Sequence, residues 1–414
     1  MEKTNKLYRQ DMYLKECPCT VLSLIGEPGS QYAILDQTPF FPEGGGQPSD
    51  LGFFISSRTG HPLASVSHVY EAEGVVYHQF EPLEDFQLSA GDTVICRLDW
   101  ERRFLNMQRH CGEHILSAAF FELFRGINRG FRMGDDYMTI DISLEEGSLI
   151  PEFTDEAICE AEILANKMIW DNLPITIRHF ETREEAAKCP MRKPLAIEED
   201  ITLVCVGDEE NPAGCVACCG THPEKSGAVG LIKIYRYESY KGMTRITFDA
   251  GKPALLRFQE CEAVLKNLCR RYSADNATLI EKISIAEEKN KGIRQELHNL
   301  KKTYLEEQAN EIRIALKDGA KVLLREYPVL RIDDLTTLGR LLGEETKGLL
   351  LFVSPTENTL YLQSNGSPDC GKIVGDNAGV WRGKGGGKKD NARALFPARQ
   401  DLDCFIDYLF KSQR

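Results

Sequence analysis

The sequence lacks any apolar run that approaches the roughly 20 residues needed to span a membrane. Residues 1–6 contain no apolar core of the kind found in a signal peptide. Acidic residues outnumber Lys plus Arg by 63 to 50, and the net charge of −13 argues against a protein that coats nucleic acid through bulk positive charge. Fourteen cysteines in 414 residues are too sparse for a small disulfide-rich secreted scaffold. We therefore expect a cytoplasmic protein whose thiols are reduced and mostly buried.

Hydrophobic residues make up 42% of the sequence and charged residues 27%, an ordinary globular composition that excludes wholesale disorder. The length of 414 residues is roughly two to three times that of a typical domain. We therefore expect at least two folded domains.

The first 98 residues have the pattern of a β-rich domain. Short strand-like runs recur at close spacing, with glycine and aspartate between them, at 32–35, 66–70, 75–78 and 93–96. This spacing favours a small barrel or sandwich. We assign residues 1–98 to an N-terminal β-barrel-like subdomain.

The period of the pattern changes at Asp99, a suitable helix N-cap that is followed by an acidic first turn. A helix is predicted over residues 100–124, with further helices near 155–172 and 181–188. Strand-like runs lie at 202–206, 230–237 and 243–248. Residues 99–250 are therefore predicted to form a mixed α/β domain.

Residues 251–318 are charged and helical in pattern, and residues 319–414 have the pattern of a small α/β domain. The helical segment carries a heptad seam over almost four heptads: Leu279, Ile283, Ala286, Asn290, Ile293, Leu297, Leu300 and Tyr304. This seam could pack within a hairpin, where Leu256, Leu265 and Leu268 supply the partner helix. It could equally form a homodimer through residues 256–304, and the C-terminal domain is a second candidate for dimer contacts.

Two clusters in the sequence have the spacing of a zinc site. His110 and His114 stand four residues apart on the predicted helix, so their side chains share one face. Cys218 and His222 have the same spacing about a hundred residues later. Two histidines from a helix with a cysteine and a histidine from a loop make a donor set that suits Zn²⁺. We take these four residues as the predicted metal ligands.

Several choices stay open around this cluster. Cys219 and Cys215 are alternative sulfur ligands. Four protein ligands are typical of structural zinc, whereas three ligands and a water are typical of catalytic zinc. The helix cluster also fits the H-x-x-E-H pattern of zinc proteases, with Glu113 as general base, but that interpretation leaves Cys218 and His222 unexplained. A solvated or arginine-paired carboxylate is the alternative for Glu113.

A glycine-rich segment at residues 38–52 joins two of the predicted β segments. Its consecutive glycines are Gly44, Gly45 and Gly46. Three glycines in a row let the backbone approach a ligand closely and expose N–H donors. Thr38 and Gln47 add directional hydrogen-bonding groups. A tight β connection without a ligand is the alternative.

Four segments together resemble one family. Residues 38–52 resemble the TxFYPxGGGQxxDxG segment of the alanyl-tRNA synthetase editing domain and of its free-standing relatives, the AlaX-type alanyl-tRNA editing proteins. Residues 110–118 are similar to their HxxxHLLxAA helix, and residues 218–222 to their CGGTH motif. Residues 383–392 resemble the GGGxGGxPxxA loop of the DHHA1 domain. The order is that of the family, and with the helical segment the whole arrangement resembles the long AlaX form.

The resemblance implies an α+β multidomain fold. The implied parts are the β-barrel subdomain (1–98), a zinc-binding editing domain called the second additional domain in threonyl- and alanyl-tRNA synthetases (99–250), a helical coiled hairpin (251–318) and a DHHA1-type tRNA-binding domain (319–414). The sequence departs from the family motifs at Cys219, which replaces a glycine, at Glu113, which replaces a small or polar residue, and at Lys389, which replaces a frequent proline. None of these changes removes a predicted ligand.

The resemblance also implies a trans-editing hydrolase that deacylates tRNA(Ala) mischarged with serine, and often with glycine. No aminoacylation domain is expected, because the barrel pattern begins near the start of the sequence. A zinc ion on the four ligands would polarise the ester, and the Gly44–Gln47 loop would stabilise the oxyanion. Thr38 would bond the hydroxyl of serine, so that alanine, which lacks it, would be spared. Gln47, Thr38 and Glu113 are thus the candidate catalytic residues.

The implied partner is tRNA, and no membrane partner is expected. One basic set with a local balance of +5 lies near the C-terminus and comprises Arg382, Lys384, Lys388, Lys389, Arg393 and Arg399 against Asp390. A second set surrounds the predicted metal helix and could guide the acceptor stem: Arg102, Arg103, Arg109, Arg125, Arg129 and Arg132. A non-catalytic tRNA-binding or dimerisation module with structural zinc is the main alternative function.

Overall fold

The structure is a computed structural model that describes residues 3–26, 31–83, 87–144, 148–192, 199–208, 212, 214–317, 321–343 and 348–412. Contacts divide the chain into two compact units, Met1–Asn267 and Leu268–Arg414. The predicted domain boundary between residues 318 and 319 lies outside the described residues. Within those residues, no helix has the length and apolar character needed to cross a membrane.

A closed six-stranded barrel dominates the first hundred residues. The described residues of this region form eight strands, of which six form the barrel. They are β1 (Asn5–Lys6), β2 (Glu16–Ile25), β3 (Gln31–Leu35), β4 (Gln37–Thr38), β5 (Gly52–Ser56), β6 (Pro62–Ala72), β7 (Val75–Pro82) and β8 (Thr93–Leu98). The barrel order is β2-β3-β7-β6-β5-β8, and β1 pairs in parallel with β4 beside it. Alternate residues of β2, such as Cys17, Cys19 and Val21, point into the apolar interior, as the period of a strand requires.

The rest of the first unit is a mixed α/β region. Its elements are α1 (Trp100–Phe124), β9 (Ile127–Met133), β10 (Met138–Ser143), α2 (Asp155–Trp170), β11 (Ile175–Thr182), α3 (Arg183–Ala186), β12 (Glu199–Val206), β13 (Gly214–Ala217), β14 (Ile232–Tyr240), β15 (Met243–Ala250) and α4 (Lys252–Tyr272), which runs across the division at Asn267. One antiparallel sheet has the order β14-β15-β10-β9, and a second has the order β11-β12-β13. Apolar side chains of α1 and α2 pack with the first sheet into one core.

Helix α1 carries the predicted histidine pair and begins and ends as the sequence indicated. The Asp99 carboxylate caps it by accepting a hydrogen bond from the Arg102 N–H at 3.1 Å. Arg125 ends the helix in the left-handed region at φ 58°. A Cβ at Gly112 would lie 2.7 Å from Cβ of Ala250, so the glycine lets α1 lie directly against β15.

One local prediction in this region is confirmed only in part, and another is wrong. The segment 181–188 was predicted as a helix, but β11 continues to Thr182 in register with β12, and only Arg183–Ala186 is helical. The expectation of reduced thiols fails for Cys205 and Cys215, which form a disulfide. These residues are direct partners across β12 and β13, where opposite side chains lie close together. The disulfide removes Cys215 from the candidate sulfur ligands.

The second unit is a five-stranded sheet covered on both faces by helices. Its elements are α5 (Leu279–Lys317), β16 (Val322–Glu326), α6 (Ile332–Leu342), β17 (Leu349–Ser354), β18 (Thr359–Gln363), α7 (Cys370–Asn377), β19 (Lys384–Gly387), β20 (Asn391–Leu395) and α8 (Arg399–Ser412). The strand order is β16-β17-β18-β20-β19. Helices α5 and α6 cover one face of this sheet, and α7 and α8 cover the other. The predicted α+β multidomain class with an N-terminal barrel is therefore confirmed.

The predicted heptad seam lies on α5. Its residues Ile293, Leu297 and Leu300 are 51%, 52% and 68% exposed. Further along the same helix, Leu305, Ala309 and Ile312 are buried against the sheet and α6. Coiled-coil pairing of the exposed part stays a prediction.

Candidate metal centre

Four side chains from two segments converge on one point of the first unit. His110 and His114 come from one face of α1, and Cys218 and His222 come from the loop that follows β13. One ligand atom from each residue lies within 4.8 Å of the others. The Sγ atom of Cys218 is 3.2 Å from Nε2 of His110 and 3.4 Å from Nε2 of His222. The cluster could therefore bind a metal ion.

The donors fit zinc by geometry and by chemistry. Ordinary Zn–N and Zn–S bonds in a tetrahedron would hold nitrogen and sulfur ligands about 3.5 Å apart, close to the separations observed here. Nε2 of His114 is buried and makes no hydrogen bond among the described residues. Buried polar atoms without partners are costly, and coordination of the cluster to a cation would offset that cost.

Local backbone choices make room for the cluster. A Cβ at Gly220 would lie 2.2 Å from the Nδ1 and Cε1 atoms of His110, so only glycine leaves space for that ring. Cys219, which replaces a glycine of the family motif, is exposed, and its Sγ faces the Gly45 side of the loop. The geometry therefore favours Cys218 over Cys219 as the sulfur ligand.

Gln47 links the barrel to both ligand segments. Its Oε1 accepts hydrogen bonds from Nδ1 of His110 at 2.8 Å and from the Thr221 N–H at 3.0 Å. Its Nε2 donates to Oγ1 of Thr221 at 2.9 Å. Because Nδ1 of His110 carries the proton in this contact, Nε2 is left as the metal-binding nitrogen. The amide of Gln47 thus orients a ligand instead of facing open space.

The three glycines next to Gln47 form a tight turn. The backbone N–H groups of Gly44 and Gln47 each donate to the other's carbonyl oxygen at 3.0 Å. Gly45 and Gly46 have φ values of 59° and 82°, the left-handed pair that defines a type I′ turn. A Cβ at Gly46 would also lie 2.7 Å from the Phe131 ring. The turn brings Gly45 to the wall of the cavity beside the cluster.

Thr38 lies elsewhere in the barrel. It is fully buried, it hydrogen-bonds Nε2 of His78 at 2.8 Å, and its hydroxyl oxygen accepts from the Phe40 N–H at 3.1 Å. Nδ1 of His78 donates to the Ala33 carbonyl oxygen, so Nε2 is the acceptor for the Thr38 hydroxyl. The structure does not bring Thr38 to the wall of the cavity.

Glu113 faces its helix neighbours instead of solvent. Its carboxylate accepts hydrogen bonds from Oγ of Ser117 and Nδ2 of Asn128, each at 2.7 Å, and lies 2.5 Å from Nδ1 of His114. Burial would raise the pKa of Glu113, but His114, Ser117 and Arg192 together hold it below its usual range. A carboxylate beside a histidine ligand fixes the orientation of that ring.

Burial keeps His110 and His222 neutral, as metal ligands must be. It lowers the pKa of His110 to about 3 and that of His222 well below the usual value, with the neighbouring histidines adding to both shifts. Burial also raises the pKa of the Cys218 thiol. A cation bound beside the sulfur would oppose that effect by stabilising the thiolate.

We expect the protein to lose stability in mild acid. Burial lowers the pKa of His78 to about 4, so between pH 6.5 and 4 the unfolded chain binds a proton that the folded chain does not. The free energy of unfolding should fall by about 1.4 kcal/mol per pH unit for each such histidine. Urea unfolding of chelator-treated protein at several pH values would measure this slope. His78→Gln should show a shallower slope, and equal slopes in the two proteins would contradict the assignment.

A cavity of about 370 Å³ adjoins the cluster. Its wall includes Glu113, Ser117 and Asn128, the apolar ring of Phe131, and three arginines. The arginines are Arg9, Arg129 and Arg192. Sequence reasoning missed Arg9, Arg192 and Asn128, which belong to none of the motifs. It also missed Ser117, which stands at an unspecified position of the motif at 110–118. Only Arg129 had been singled out.

Two of the arginines that were predicted to guide RNA are unavailable for it. Arg103 is fully buried and forms an ion pair with Asp50. Arg109 is also buried, and its Nε and Nη2 atoms each donate to the Asp249 carboxylate at 2.8 Å. These side chains tie α1 to the barrel loop and to β15, so their assignment to RNA contact is wrong.

The basic segment of the second unit is a strand instead of the predicted loop. A Cβ at Gly385 or Gly387 would lie about 2 Å from a carbonyl oxygen of β20, so glycine permits the close pairing of β19 with β20. Arg382 pairs with Asp401 at 2.7 Å, and Arg399 pairs with Glu326 at 2.5 Å. Arg393 lies 3.9 Å from Asp333. Lys384, Lys388 and Lys389 have no acid within 4.0 Å among the residues described, so they are the cations most available to a ligand.

Comparison with known proteins supports the motif-level resemblance. The sequence model of the family described as tRNA synthetases class II (A) matches residues 21–102. Alanyl-tRNA editing protein AlaX-L of Pyrococcus horikoshii is 28% identical over 408 residues, covering 96% of this chain and 95% of that protein. The chain resembles the long AlaX-type editing proteins along almost its whole length.

The AlaX-type resemblance extends to larger enzymes over part of their length. An alanine–tRNA ligase of Methanoregula boonei is 29% identical over 413 residues, which cover 98% of this chain but 43% of the ligase. The chain spans less than half of the ligases that it matches along its full length. A solved structure, the C-Ala domain of Aquifex aeolicus alanyl-tRNA synthetase, matches 22% of this chain and 89% of that one at 15% identity, with a TM-score of 0.20 that is too low to indicate a common fold.

Proposed function

We propose that the protein is a trans-editing hydrolase that cleaves the ester between serine and tRNA(Ala), with glycine as the second candidate amino acid. The observation that carries this proposal is the cluster of His110, His114, Cys218 and His222 at the wall of a cavity, in a chain similar to an editing protein over 96% of its length. The reaction adds water across the ester and releases a free amino acid and a terminal ribose hydroxyl.

The four clustered residues would hold Zn²⁺, and Gln47 and Glu113 would orient two of them. A zinc ion bound there supplies Lewis-acid polarisation and a lowered pKa for water. Gln47 fixes the tautomer of His110, and the Glu113 carboxylate faces the ring of His114. Because their polar atoms already have these partners, we assign both residues to positioning. General-base action by Glu113 is the alternative role.

The cavity supports a small ester as the substrate. Its volume of about 370 Å³ is at the small end of ligand pockets and suits a nucleoside-sized group better than a helical stem. Gly45 lies in its wall, where backbone N–H groups of the turn could stabilise a developing oxyanion. Ser117 and Asn128 are polar groups in reach of a substrate hydroxyl. Because Thr38 does not line the cavity, we propose no direct substrate contact for it.

Other parts of the chain would hold the tRNA. We assign the region 99–250 to the editing domain, 251–318 to a helical hairpin and 319–414 to a DHHA1-type RNA-binding domain. Lys384, Lys388 and Lys389 are exposed and suited to phosphate contacts. Dimerisation through 256–304 or through the C-terminal domain would place two editing sites in one particle.

Deacylation assays test the proposal directly. Incubation with Ser-tRNA(Ala) should release serine at least about 100-fold faster than Ala-tRNA(Ala) releases alanine, because a site that pairs a hydroxyl rejects a substrate without one. A chelator should stop the reaction, and added zinc should restore it. Gly-tRNA(Ala) measured in parallel would define the second substrate. If no serine is released while tRNA still binds, the protein is a binding module.

A further inference from the structure

Three arginines line the wall of the cavity. Arg9, Arg129 and Arg192 reach it from a short 3₁₀ helix at Leu7–Arg9, from β9, and from the chain after α3. Glu113 is the one carboxylate among the described residues of the wall, and Ser117, Asn128 and His114 already surround it. Three guanidinium groups from separate parts of the chain therefore meet at this wall, and the charge of Arg192 also acts on Glu113.

Arg192 has a buried nitrogen with no acceptor. Its Nε atom is shielded from solvent and makes no hydrogen bond with any described residue. The neighbouring backbone leaves room for this side chain because residue 214 is a glycine. A Cβ at Gly214 would lie 2.7 Å from Nε of Arg192. A buried guanidinium nitrogen without an acceptor is unfavourable, which indicates that a ligand supplies the acceptor.

We propose that Arg9, Arg129 and Arg192 bind the phosphate groups of the terminal nucleotides of tRNA, with Arg192 contacting the phosphate of the last adenosine. This inference rests on the proposed function, since that substrate carries its ester on the ribose of this nucleotide. The planar guanidinium matches phosphate oxygens with paired hydrogen bonds.

The contact would set the depth of the substrate in the cavity. With the last phosphate held by Arg192, the ribose that bears the ester can reach the histidine cluster only at a fixed distance. A phosphate contact strengthens binding without regard to the amino acid, whereas an oxyanion contact strengthens only the reacting state. The two roles therefore differ in which kinetic constant Arg192 controls.

Binding of adenosine 5′-monophosphate and adenosine to the full-length zinc-loaded protein, measured by calorimetry, tests the proposal. The wild-type protein should bind the monophosphate about tenfold more tightly than adenosine, because the phosphate makes charge-assisted hydrogen bonds. Arg192→Gln should reduce that preference to about twofold or less, and Arg192→Lys should keep part of it. Arg132→Gln is the matched control, because Arg132 is an exposed arginine of the same strand as Arg129 but outside this cavity, and it should keep the full preference.

A second variant protects the test against misfolding. Arg129 is exposed, so Arg129→Gln should fold normally and should weaken the monophosphate preference about threefold. An unchanged preference in both variants would overturn the proposal, as would a loss of kcat with unchanged KM in Arg192→Gln, which would indicate an oxyanion contact. If the wild-type protein releases no serine but shows the arginine-dependent preference, the proposed reaction fails while the nucleotide site stands.

Discussion

Cys218→Ala is expected to lose its bound metal and to release serine from Ser-tRNA(Ala) more than about 100-fold more slowly. Loss of a group that only orients a ligand already costs 10- to 100-fold in metal affinity or activity, and loss of a ligand should cost more. Cys218 Sγ lies 3.2 Å and 3.4 Å from the facing nitrogens of His110 and His222, so no other sulfur could replace it without moving the loop. Metal content by mass spectrometry and single-turnover deacylation would measure the two effects.

Cys219→Ala is the matched control for this prediction. The two cysteines are adjacent, but Cys219 is exposed, and Cys215 is held in the disulfide with Cys205. We expect Cys219→Ala to retain one zinc per chain and nearly the full deacylation rate. The assignment of Cys218 would be wrong if Cys219→Ala lost the metal and Cys218→Ala kept it.

The metal cluster could be predicted from sequence because each half of it is local. Histidines four apart on a helix share a face whatever the rest of the chain does, and Cys218 with His222 repeats that spacing in a short loop. All four residues lie in one cluster. The choice among three cysteines required the structure, because the disulfide depends on the pairing of β12 with β13.

The sequence did not predict the roles of the residues around the cluster. Gln47 was predicted as a donor to the substrate, but its partners His110 and Thr221 are 63 and 174 residues away in the chain. Thr38 was chosen for its hydroxyl, which the barrel turns toward the buried ring of His78. Arg192 carried no motif at all, since only the fold brings it to the cavity.

Contacts between distant parts of the chain also limit the prediction of secondary structure. Helix α1 follows from its cap and its change of hydrophobic period, and the barrel strands follow from short strand-like runs at close spacing; both were predicted. The residues of β19 were predicted as a loop, because glycines carry no side-chain pattern that indicates a strand. They form a strand because the absence of side chains lets their backbone pair closely with β20. The segment 181–188 was predicted as a helix, but its first part pairs with β12, and the helix is confined to Arg183–Ala186.

The prediction that Arg103 and Arg109 contact RNA was wrong for a related reason. Arginines spaced along a helix resemble an RNA-binding face in sequence, because sequence does not reveal which of them find a buried acid. Asp50 lies in the glycine-rich segment and Arg103 lies on α1, 53 residues away, and both side chains are fully buried. The pair joins the loop that carries Gln47 to the helix that carries His110. It therefore stabilises the arrangement of these two segments and makes no direct contact with a substrate.

Arg103→Ala is expected to destabilise the protein by about 3–5 kcal/mol, the usual cost of removing one partner from a buried ion pair. Nε of Arg103 lies 3.0 Å and 2.9 Å from the two Asp50 oxygens, and Nη1 and Nη2 donate to the carbonyl oxygens of Met12 and Pro39 at 3.1 Å and 2.6 Å. The variant would leave the Asp50 charge buried, with the Phe41 N–H as its remaining hydrogen-bond donor.

Two further variants separate the charge pair from a general effect of changing α1. Arg102→Ala alters the neighbouring half-buried arginine, which donates one hydrogen bond to the Ser49 carbonyl oxygen at 3.2 Å, and should cost less than about 1 kcal/mol. Arg103→Met combined with Asp50→Asn should be less destabilised than Arg103→Ala, because it buries no unpaired charge while the introduced amide oxygen can still accept from the Phe41 N–H. Urea unfolding followed by circular dichroism would give the free energies. A cost below about 1 kcal/mol for Arg103→Ala would mean that the pair does not hold the loop to the helix.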